Sequence, residues 1–273
     1  MSHGATTRKP GEPFRLAEID PRDTGGFPDK AAAHEILKGN QERLQDLQQR
    51  LYAEGRRALL IVLQGMDASG KDGVIRHVMG AFNPQGVCVT SFKVPTPEEL
   101  AHDFLWRVHR AVPGRGLVGI FNRSHYEDVV VVRVKELVPR EVWAKRYEAI
   151  NDFERLLADN GVTLVKLFLH LSPGEQAEQL ADRQREPEKQ WKFSPGDLKE
   201  RSRWPQYMAA WDDALTRCNT AWAPWYVVPA DRKWHRLLVA SRVVLEALER
   251  LDPRYPEPPP DIGSHQIPEV RWP

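Results

Sequence analysis

Short apolar runs alternate with longer amphipathic stretches along most of the chain. Five runs predict strands, at 58–64, 87–93, 117–121, 162–171 and 225–228, and the first is apolar nearly throughout, as in a strand buried on both faces. Apolar residues at helical spacing predict helices at 30–54, 71–82, 97–112, 140–159 and 232–251, with a charged helical stretch at 173–218. Such alternation forms βαβ units, so we predict an α/β fold with a five-stranded parallel sheet.

The two ends of the chain have a different composition from its middle. Residues 1–29 are rich in glycine and proline, and residues 256–260 read Pro-Glu-Pro-Pro-Pro. This composition favours extended or irregular backbone. We therefore predict an N-terminal arm at 1–29, one α/β domain at 30–251 and a proline-rich tail at 252–273, with both arms lying on the domain or on a partner subunit.

Composition excludes several classes of protein. The 273 residues include 39 basic and 38 acidic ones, and a net charge of +1 argues against a basic nucleic-acid-binding surface. Cys88 and Cys218 lie far apart, without the spacing of a disulfide framework or a zinc site. No apolar run reaches the roughly 18 to 20 residues that span a bilayer, and the first residues lack a signal peptide's apolar stretch. We expect a cytoplasmic protein with neither nucleic acid nor membrane as a partner.

The strongest chemical signal follows the first predicted strand. The segment reads Gly65-Met66-Asp67-Ala68-Ser69-Gly70-Lys71-Asp72, which has Walker A spacing between a strand and a helix. Gly65 and Gly70 permit a loop that surrounds phosphate, and Lys71 adds a point charge. Asp72 replaces the usual hydroxyl residue, and Asp67 adds a second carboxylate. We interpret Asp67 as a metal ligand or proton acceptor and Asp72 as a helix cap, the alternative being a chance glycine-rich turn.

A second polar segment follows the third predicted strand and reads Phe121-Asn122-Arg123-Ser124-His125-Tyr126-Glu127-Asp128. Side chains at the carboxyl ends of parallel strands line the ligand crevice. An arginine before two acids suits a site with phosphate on one side and a metal on the other, although a polar surface loop fits too. Arg133 lies in the apolar run 129–134 and needs an anionic partner, either a protein carboxylate or a phosphate.

The stretch 183–203 contains seven basic and four acidic residues, and Pro187 and Pro195 break it into segments, as a movable lid requires. A solvated helix face would have the same composition. The six tryptophans between residues 191 and 234 could stack on a base, but most are expected in the core or at an interface: Trp191, Trp204, Trp211, Trp222, Trp225 and Trp234.

Four segments in this order, GMDASGKD, FNRSHYEDV, PEKQWKFSPGDLKER and WAPWYVVPADRKW, resemble the polyphosphate kinase type 2 family. The resemblance implies a P-loop kinase fold similar to thymidylate kinase, with three α/β/α layers and a helical lid. It also implies Mg²⁺-dependent phosphoryl transfer, with Mn²⁺ as a substitute, between inorganic polyphosphate and a purine nucleotide, in a homo-oligomer (dimer or tetramer).

The resemblance also implies roles for particular residues. Asp67, Lys71 and Arg123 match the family's metal, phosphate and transition-state contacts, with Asp128 as a second metal ligand. The remaining candidates for binding phosphate or nucleotide are Gly65, Ala68, Ser69, Gly70, Asp72, Asn122, Glu127 and Arg133, together with Arg183, Lys189 and Lys192 in the lid. With Asn122 and the Glu127-Asp128 pair, this segment is similar to that of the subgroup that phosphorylates both AMP and ADP.

Two other functions stay open at this point. One is an ATP-dependent nucleoside monophosphate kinase on the same fold. The other is a nucleotide- or polyphosphate-binding regulator without turnover, against which Lys71 and Asp67 argue. Because donor and acceptor carry the same type of phosphoanhydride bond, a polyphosphate-dependent transfer should be reversible.

Overall fold

Five strands form one parallel sheet in a computed structural model, which describes residues 4–27 and 29–270. In chain order they are β1 (Ala58–Gln64), β2 (Val87–Ser91), β3 (Val118–Asn122), β4 (Val162–His170) and β5 (Trp225–Pro229). Their order in the sheet is β2-β3-β1-β4-β5, so the predicted α/β class and parallel sheet are confirmed. From β1 the chain crosses to β2 and then to β3 on one side, and it continues to β4 and β5 on the other side of β1, which makes the carboxyl end of β1 a topological switch point.

Helices cover both faces of the sheet. Within the described ranges they are α1 (Lys30–Glu54), α2 (Lys71–His77), α3 (Pro97–Leu100), α4 (Trp106–His109), α5 (Val131–Val134), α6 (Arg140–Asp159), α7 (Pro173–Arg185), α8 (Pro187–Gln190), α9 (Pro195–Ser202), α10 (Trp204–Arg217) and α11 (Lys233–Leu251). Short 3₁₀ turns lie at Leu16–Glu18, Met79–Ala81, Pro84–Gly86, His125–Asp128 and Ile262–Ser264.

Two hydrophobic layers hold these helices on the sheet. Every residue of β1 is buried, and alternate side chains enter opposite layers. Leu60 and Val62 pack in the layer that includes residues of α6 and α10. Leu59, Ile61 and Leu63 pack in the layer that includes residues of α1, α2 and α11. The three-layer arrangement follows from a central strand that is apolar on both faces.

Two predicted helices are shorter than expected. The predicted helix 97–112 is two four-residue helices, α3 and α4. Thr96 and Glu99 form a capping box at the start of α3, and the Asp103 carboxylate accepts a hydrogen bond from the Leu105 N–H (3.0 Å), which offers the backbone an alternative to a continuous helix. The predicted helix 71–82 ends at His77 and continues only as a 3₁₀ turn that contains Gly80, a poor helix former.

The N-terminal segment lies on β5 and α10. Thr6 forms an antiparallel bridge with Val227, and Phe14 and Leu16 are buried. The N–H groups of Phe14 and Leu16 donate to Thr216 Oγ1 (2.9 Å) and Asp212 Oδ1 (2.8 Å). The other end differs, since residues 254–270 are exposed. Over the described part of the chain, no helix combines the length and apolarity needed to cross a membrane.

Candidate active site

Two positions in the loop between β1 and α2 have a backbone conformation that only glycine can adopt without strain or a steric clash. Gly65 has φ 143°, and a Cβ there would lie 2.6 Å from the Leu169 carbonyl oxygen. Gly70 has φ 91°, and a Cβ there would lie 2.3 Å from the Arg236 guanidinium carbon. The loop is therefore pressed against the end of β4 on one side and against α11 on the other.

Lys71 turns back onto this loop. Its Nζ donates to the carbonyl oxygens of Gly65 (2.8 Å) and Met66 (3.1 Å). Burial, and then the charge of Arg123, lower the pKa of Lys71 from 10.5 to about 8, against the opposing effect of nearby carboxylates. A phosphate beside Lys71 would supply the counter-charge that this buried ammonium lacks.

Arg123 immediately follows β3 and reaches the same loop. The backbone N–H of Arg123 donates to the Leu63 carbonyl (3.0 Å). The φ of Arg123 is 63°, a left-handed backbone conformation that costs free energy for a residue other than glycine. The guanidinium contacts Asp67 and donates to Glu127 Oε2 (3.0 Å). Burial alone would lower the pKa of Arg123, but the Glu127 and Asp67 carboxylates raise it overall, so Arg123 stays charged.

Two cavities of opposite charge meet at Asp67 and Arg123. We call the larger one, about 960 Å³, the basic cavity; its charged lining consists of Lys71, Arg76, Arg123, Arg183, Lys189, Lys192, Lys233 and Arg236 against Asp67, Asp72, Asp182 and Glu188. We call the other, about 260 Å³, the acidic cavity; its charged lining consists of Asp67, Glu127, Asp197 and Glu200 against Arg123 and Lys135. The site thus separates a region suited to a polyanion from one that repels it.

Most of the predicted site residues lie at these cavities. The basic cavity is lined by Asp67, Ala68, Gly70, Lys71, Asp72, Asn122, Arg123, Arg183, Lys189 and Lys192, and the acidic cavity also by Gly65 and Glu127. Ser69 is fully buried, with Oγ 3.4 Å from Lys71 Nζ. Of the tryptophans, Trp191 borders the basic cavity, Trp211 borders the acidic cavity, and Trp225 is buried in the core.

Asp72 does not cap α2, whose N-cap is Gly70. One Asp72 oxygen accepts from Asn122 Nδ2 (3.1 Å), and the other accepts from Lys192 Nζ (3.1 Å). Burial opposes ionisation, but the hydrogen bonds from Lys192 and Asn122 lower the pKa of Asp72 overall. Asp72 therefore joins the start of α2 to β3 and to the predicted lid.

Besides the buried Ser69, two predicted residues, Arg133 and Asp128, line neither cavity. Arg133 donates to Asp213 Oδ2 (2.5 Å) and stacks over Trp143, so its partner is a protein carboxylate and not a phosphate. Asp128 accepts from Arg146 (3.3 Å) and pairs with Arg107 (3.8 Å). An expected metal role does not fit Asp128 in this position, because its carboxylate already faces two guanidinium groups.

Sequence reasoning missed a link between the predicted lid and the loop between β1 and α2. Gln176 of α7 is buried, and its Nε2 donates to the Asp67 carbonyl (2.9 Å). Its Oε1 accepts from Arg201 of α9 (2.9 Å), and Arg201 also donates to the Pro173 carbonyl (2.7 Å). An uncharged residue in a charged stretch gives no sequence signal for this role. Arg236 was missed as well, although the basic run after the last strand contains it.

A fully buried polar cluster supports the segment that follows β3. Lys166 of β4 donates to Glu154 Oε2 (2.6 Å), to Tyr126 Oη (2.9 Å) and to the Cys218 carbonyl (2.7 Å). Glu154 Oε1 accepts from Tyr126 Oη (2.8 Å) and lies 3.1 Å from His125 Nε2. Burial opposes the charge, but Lys166 and His125 hold the pKa of Glu154 below its usual value. The residues after Arg123 are thereby fixed to β4 and α6.

The chain is similar to known proteins over nearly its whole length. A family model described as Polyphosphate kinase 2 matches residues 28–256. An AMP/ADP-polyphosphate phosphotransferase of Meiothermus ruber is 52% identical, over 95% of this chain and 97% of that protein. An ADP-polyphosphate phosphotransferase of Rhodopseudomonas palustris is 47% identical, over 90% and 92% of the two chains. The crystal structure of Polyphosphate Kinase 2 from Arthrobacter aurescens TC1 matches with a TM-score of 0.90 at 43% identity, covering 94% of this chain and 92% of that one.

The buried cluster predicts a large stability effect. Lys166→Met leaves the Glu154 carboxylate buried without its charge partner, so we expect the free energy of unfolding to fall by about 3–5 kcal/mol in urea denaturation. Adding Glu154→Gln removes the orphaned charge and should recover much of that loss. Lys145→Met, at an exposed position, is the control and should change stability by less than about 0.5 kcal/mol. A Lys166→Met loss no larger than that of the control would contradict the assigned role.

The lowered pKa of Lys71 predicts that anion binding weakens at alkaline pH. Above about pH 8 the free protein has lost the Lys71 proton, and an anion must recover it in order to bind. We expect sulfate affinity, measured by calorimetry, to fall by up to about tenfold per pH unit between about pH 8 and about pH 10. Lys71→Arg keeps its charge and should remove most of this decline. The same decline in both proteins would mean that another group is responsible.

Proposed function

The chain belongs to the polyphosphate kinase 2 family, and we propose that it transfers phosphoryl groups from inorganic polyphosphate to AMP and ADP. The observation that carries this proposal is the meeting of the basic and acidic cavities at Asp67 and Arg123, beside Lys71. The donor is a polyanion, whereas the acceptor also carries an uncharged nucleoside. Two regions of different charge with a shared boundary suit such a pair of substrates.

The basic cavity suits the donor. Inorganic polyphosphate is a chain of anionic groups without an apolar part, so only cationic and hydrogen-bonding groups can recognise it. Eight basic side chains line this cavity against four acidic ones, and one of them, Lys71, is buried directly after the loop between β1 and α2. The Lys192–Asp72 ion pair (3.1 Å) joins the predicted lid to the start of α2 beside this cavity, and bound phosphates would compete for Lys192.

The acidic cavity suits the nucleoside part of the acceptor. Its carboxylates repel a polyanion but can accept hydrogen bonds from ribose hydroxyls and base amino groups. Val130, Val131 and Trp211 provide apolar surface against which a base can pack. The phosphates of the nucleotide would then point toward Arg123, the basic group at the boundary of the two cavities.

Phosphoryl transfer requires positioning and charge neutralisation more than covalent chemistry by the protein. Lys71 would hold the terminal phosphates of the donor, and Arg123 would neutralise the charge on the migrating group. The lid would exclude water and so suppress hydrolysis. Because the bond broken in polyphosphate and the bond formed in ADP or ATP are both phosphoanhydride bonds, the direction of transfer depends on the concentrations of the reactants and products.

The reaction class implies a divalent metal ion, and we propose Mg²⁺, with Mn²⁺ as a substitute. Among the described residues no three His, Cys, Asp or Glu side chains converge to hold a metal alone. Mg²⁺ sites of this kind use one or two carboxylates plus substrate phosphates. Asp67 lies at the boundary between the cavities and fits that role. When bound, the ion would be held in part by Asp67 and would offset the negative charge of the substrate phosphates.

A substrate panel tests the proposed function. Purified protein with ADP, Mg²⁺ and polyphosphate as the sole donor should form ATP, and AMP in place of ADP should yield ADP. The products can be separated by ion-exchange chromatography, with Lys71→Ala as the inactive control. Transfer to a nucleoside monophosphate from ATP alone would establish the nucleoside monophosphate kinase instead. Polyphosphate binding without transfer from any donor would indicate the regulator.

Arg123 should affect turnover more than binding. We expect Arg123→Ala to lower kcat by about 10³- to 10⁵-fold, as for removal of an arginine finger, with a much smaller change in KM for ADP. Arg133→Ala is the matched control, because Arg133 pairs with Asp213 outside both cavities, and its kcat should stay within about twofold of wild type. A rise in KM for ADP with kcat unchanged would make Arg123 a binding residue only.

A further inference from the structure

Residues 66–69, in the loop between β1 and α2, form a turn that alanine does not favour. The Ser69 N–H donates to the Met66 carbonyl (3.1 Å), and Ala68, the third residue of the turn, has φ 66°. A positive φ at this position is typical of a type II turn, which prefers glycine there. Reversing the peptide between Asp67 and Ala68 would give a type I turn, in which Ala68 has a negative φ without strain. The observed orientation of this peptide therefore needs support from outside the loop.

Gln176 of α7 supplies that support. Its side chain is buried, and its Nε2 donates to the Asp67 carbonyl (2.9 Å), which belongs to the same peptide. In a trans peptide the N–H points opposite to the carbonyl, so the Ala68 N–H faces away from α7. Reversal would bring the carbonyl oxygen to the side that the N–H now occupies. One hydrogen bond from Gln176 thus fixes the direction of both groups.

The first turn of α7, which contains Gln176, is anchored at the carboxyl edge of the sheet. Ser172 caps this helix, and its Oγ accepts from the Glu175 N–H (3.1 Å). The Ser172 N–H donates to Asp231 Oδ1 (2.8 Å), in the segment that follows β5. Because α7 follows β4, and β4 is paired with β1, this turn lies beside the loop that follows β1. The fold therefore delivers Gln176 to the Asp67 carbonyl.

Arg201 of α9 holds the other end of the Gln176 amide. Its Nη1 donates to Gln176 Oε1 (2.9 Å) and to the Pro173 carbonyl (2.7 Å). A guanidinium can only donate, so Gln176 must turn its oxygen toward Arg201 and its NH₂ group toward the Asp67 carbonyl. The amide therefore has one partner in the loop and one in the predicted lid, and the second partner selects the orientation that suits the first.

We propose that Gln176 is a positioning residue for phosphoryl transfer, which holds the Asp67–Ala68 peptide in its observed orientation while Arg201 holds Gln176. The inference rests on the proposed function. Ala68 lines the basic cavity, and reversal would replace its N–H by a carbonyl oxygen on the side away from α7. A backbone N–H can neutralise charge on a phosphoryl group, whereas a carbonyl oxygen repels it. Two hydrogen bonds thus couple the placement of α9 to the reactive form of the loop.

Gln176→Leu tests the positioning role, because it keeps most of the side-chain bulk and removes both hydrogen bonds. We expect kcat for ATP formation from ADP and polyphosphate to fall about 10- to 100-fold, with KM for ADP within about threefold of wild type. Loss of stability with kcat unchanged would mean that Gln176 is only structural, and would overturn the inference.

Gln48→Leu is the matched control. Gln48 of α1 is also buried, its Oε1 accepts from the Asn83 N–H (3.0 Å), and it lines neither cavity. The kcat of this variant should stay within about twofold of wild type. A fall in kcat equal to that of Gln176→Leu would show that loss of any buried amide has this effect, and the inference would fail.

Ala68→Gly separates positioning of the peptide from a general effect on the fold. Glycine adopts a positive φ without strain, so the turn would depend less on Gln176. Added to Gln176→Leu, Ala68→Gly should raise kcat by about fivefold, the order of the strain that alanine carries in a left-handed conformation. Absence of any recovery would contradict the assigned role.

Arg201→Met tests the link to the predicted lid, and it stays informative if Gln176→Leu does not fold. We expect kcat to fall about tenfold, and Arg201→Lys, which keeps a donor, to restore part of the loss. The double variant Gln176→Leu/Arg201→Met should lose no more than the larger single loss, because both act on one peptide. Lys199→Met is the control, at an exposed position of α9 that lines neither cavity, and its kcat should stay within about twofold of wild type. Losses that multiply in the double variant would refute the link.

A crystal structure of free Gln176→Leu separates this inference from the proposed function. The Asp67–Ala68 peptide should be reversed in this variant and unchanged in Gln48→Leu. If this is found and wild type transfers no phosphate, the support of the peptide by Gln176 stands and the proposed function fails. If wild type transfers phosphate, and Gln176→Leu keeps both the peptide orientation and kcat, the inference is refuted and the proposed function remains.

Discussion

The contact between Asp67 and Arg123 is the interaction on which the rest of the site depends. Asp67 belongs to the loop after β1, and Arg123 follows the neighbouring strand β3, whose Asn122 is paired in register with Leu63. Adjacent parallel strands end at the same edge, so the fold brings the two loops together without a long connection. The contact compensates the Arg123 charge, marks the boundary between the cavities and leaves Lys71 without a close counter-charge.

The net charge of +1 hides a sharp separation of charge inside the site. Basic side chains predominate in the cavity beside Lys71, and carboxylates predominate beyond Arg123. Because a polyanion is attracted to one region and repelled from the other, the charge pattern orients both substrates before any specific contact is made.

The sequence predicted the parts of this architecture that depend on local pattern. The apolar run of β1, the loop with Gly65 and Gly70, and the polar segment with Arg123 each have a local signature, and the structure places the two loops at one edge of the sheet. The short helices α3 and α4 were missed because a hydrogen bond from the Leu105 N–H to the Asp103 carboxylate outweighs helical spacing. Arg236 and Gln176 gain their roles only through contacts between segments distant in sequence, which no local pattern records.

A crystal structure of the Arg123→Ala variant with ADP and polyphosphate bound is the most direct test of the central claim that the two cavities hold different substrates. Polyphosphate should run from Lys71 through the basic cavity, and the adenine ring should lie in the acidic cavity near Val130 and Trp211. Adenine in the basic cavity, or polyphosphate among Glu127, Asp197 and Glu200, would contradict the account.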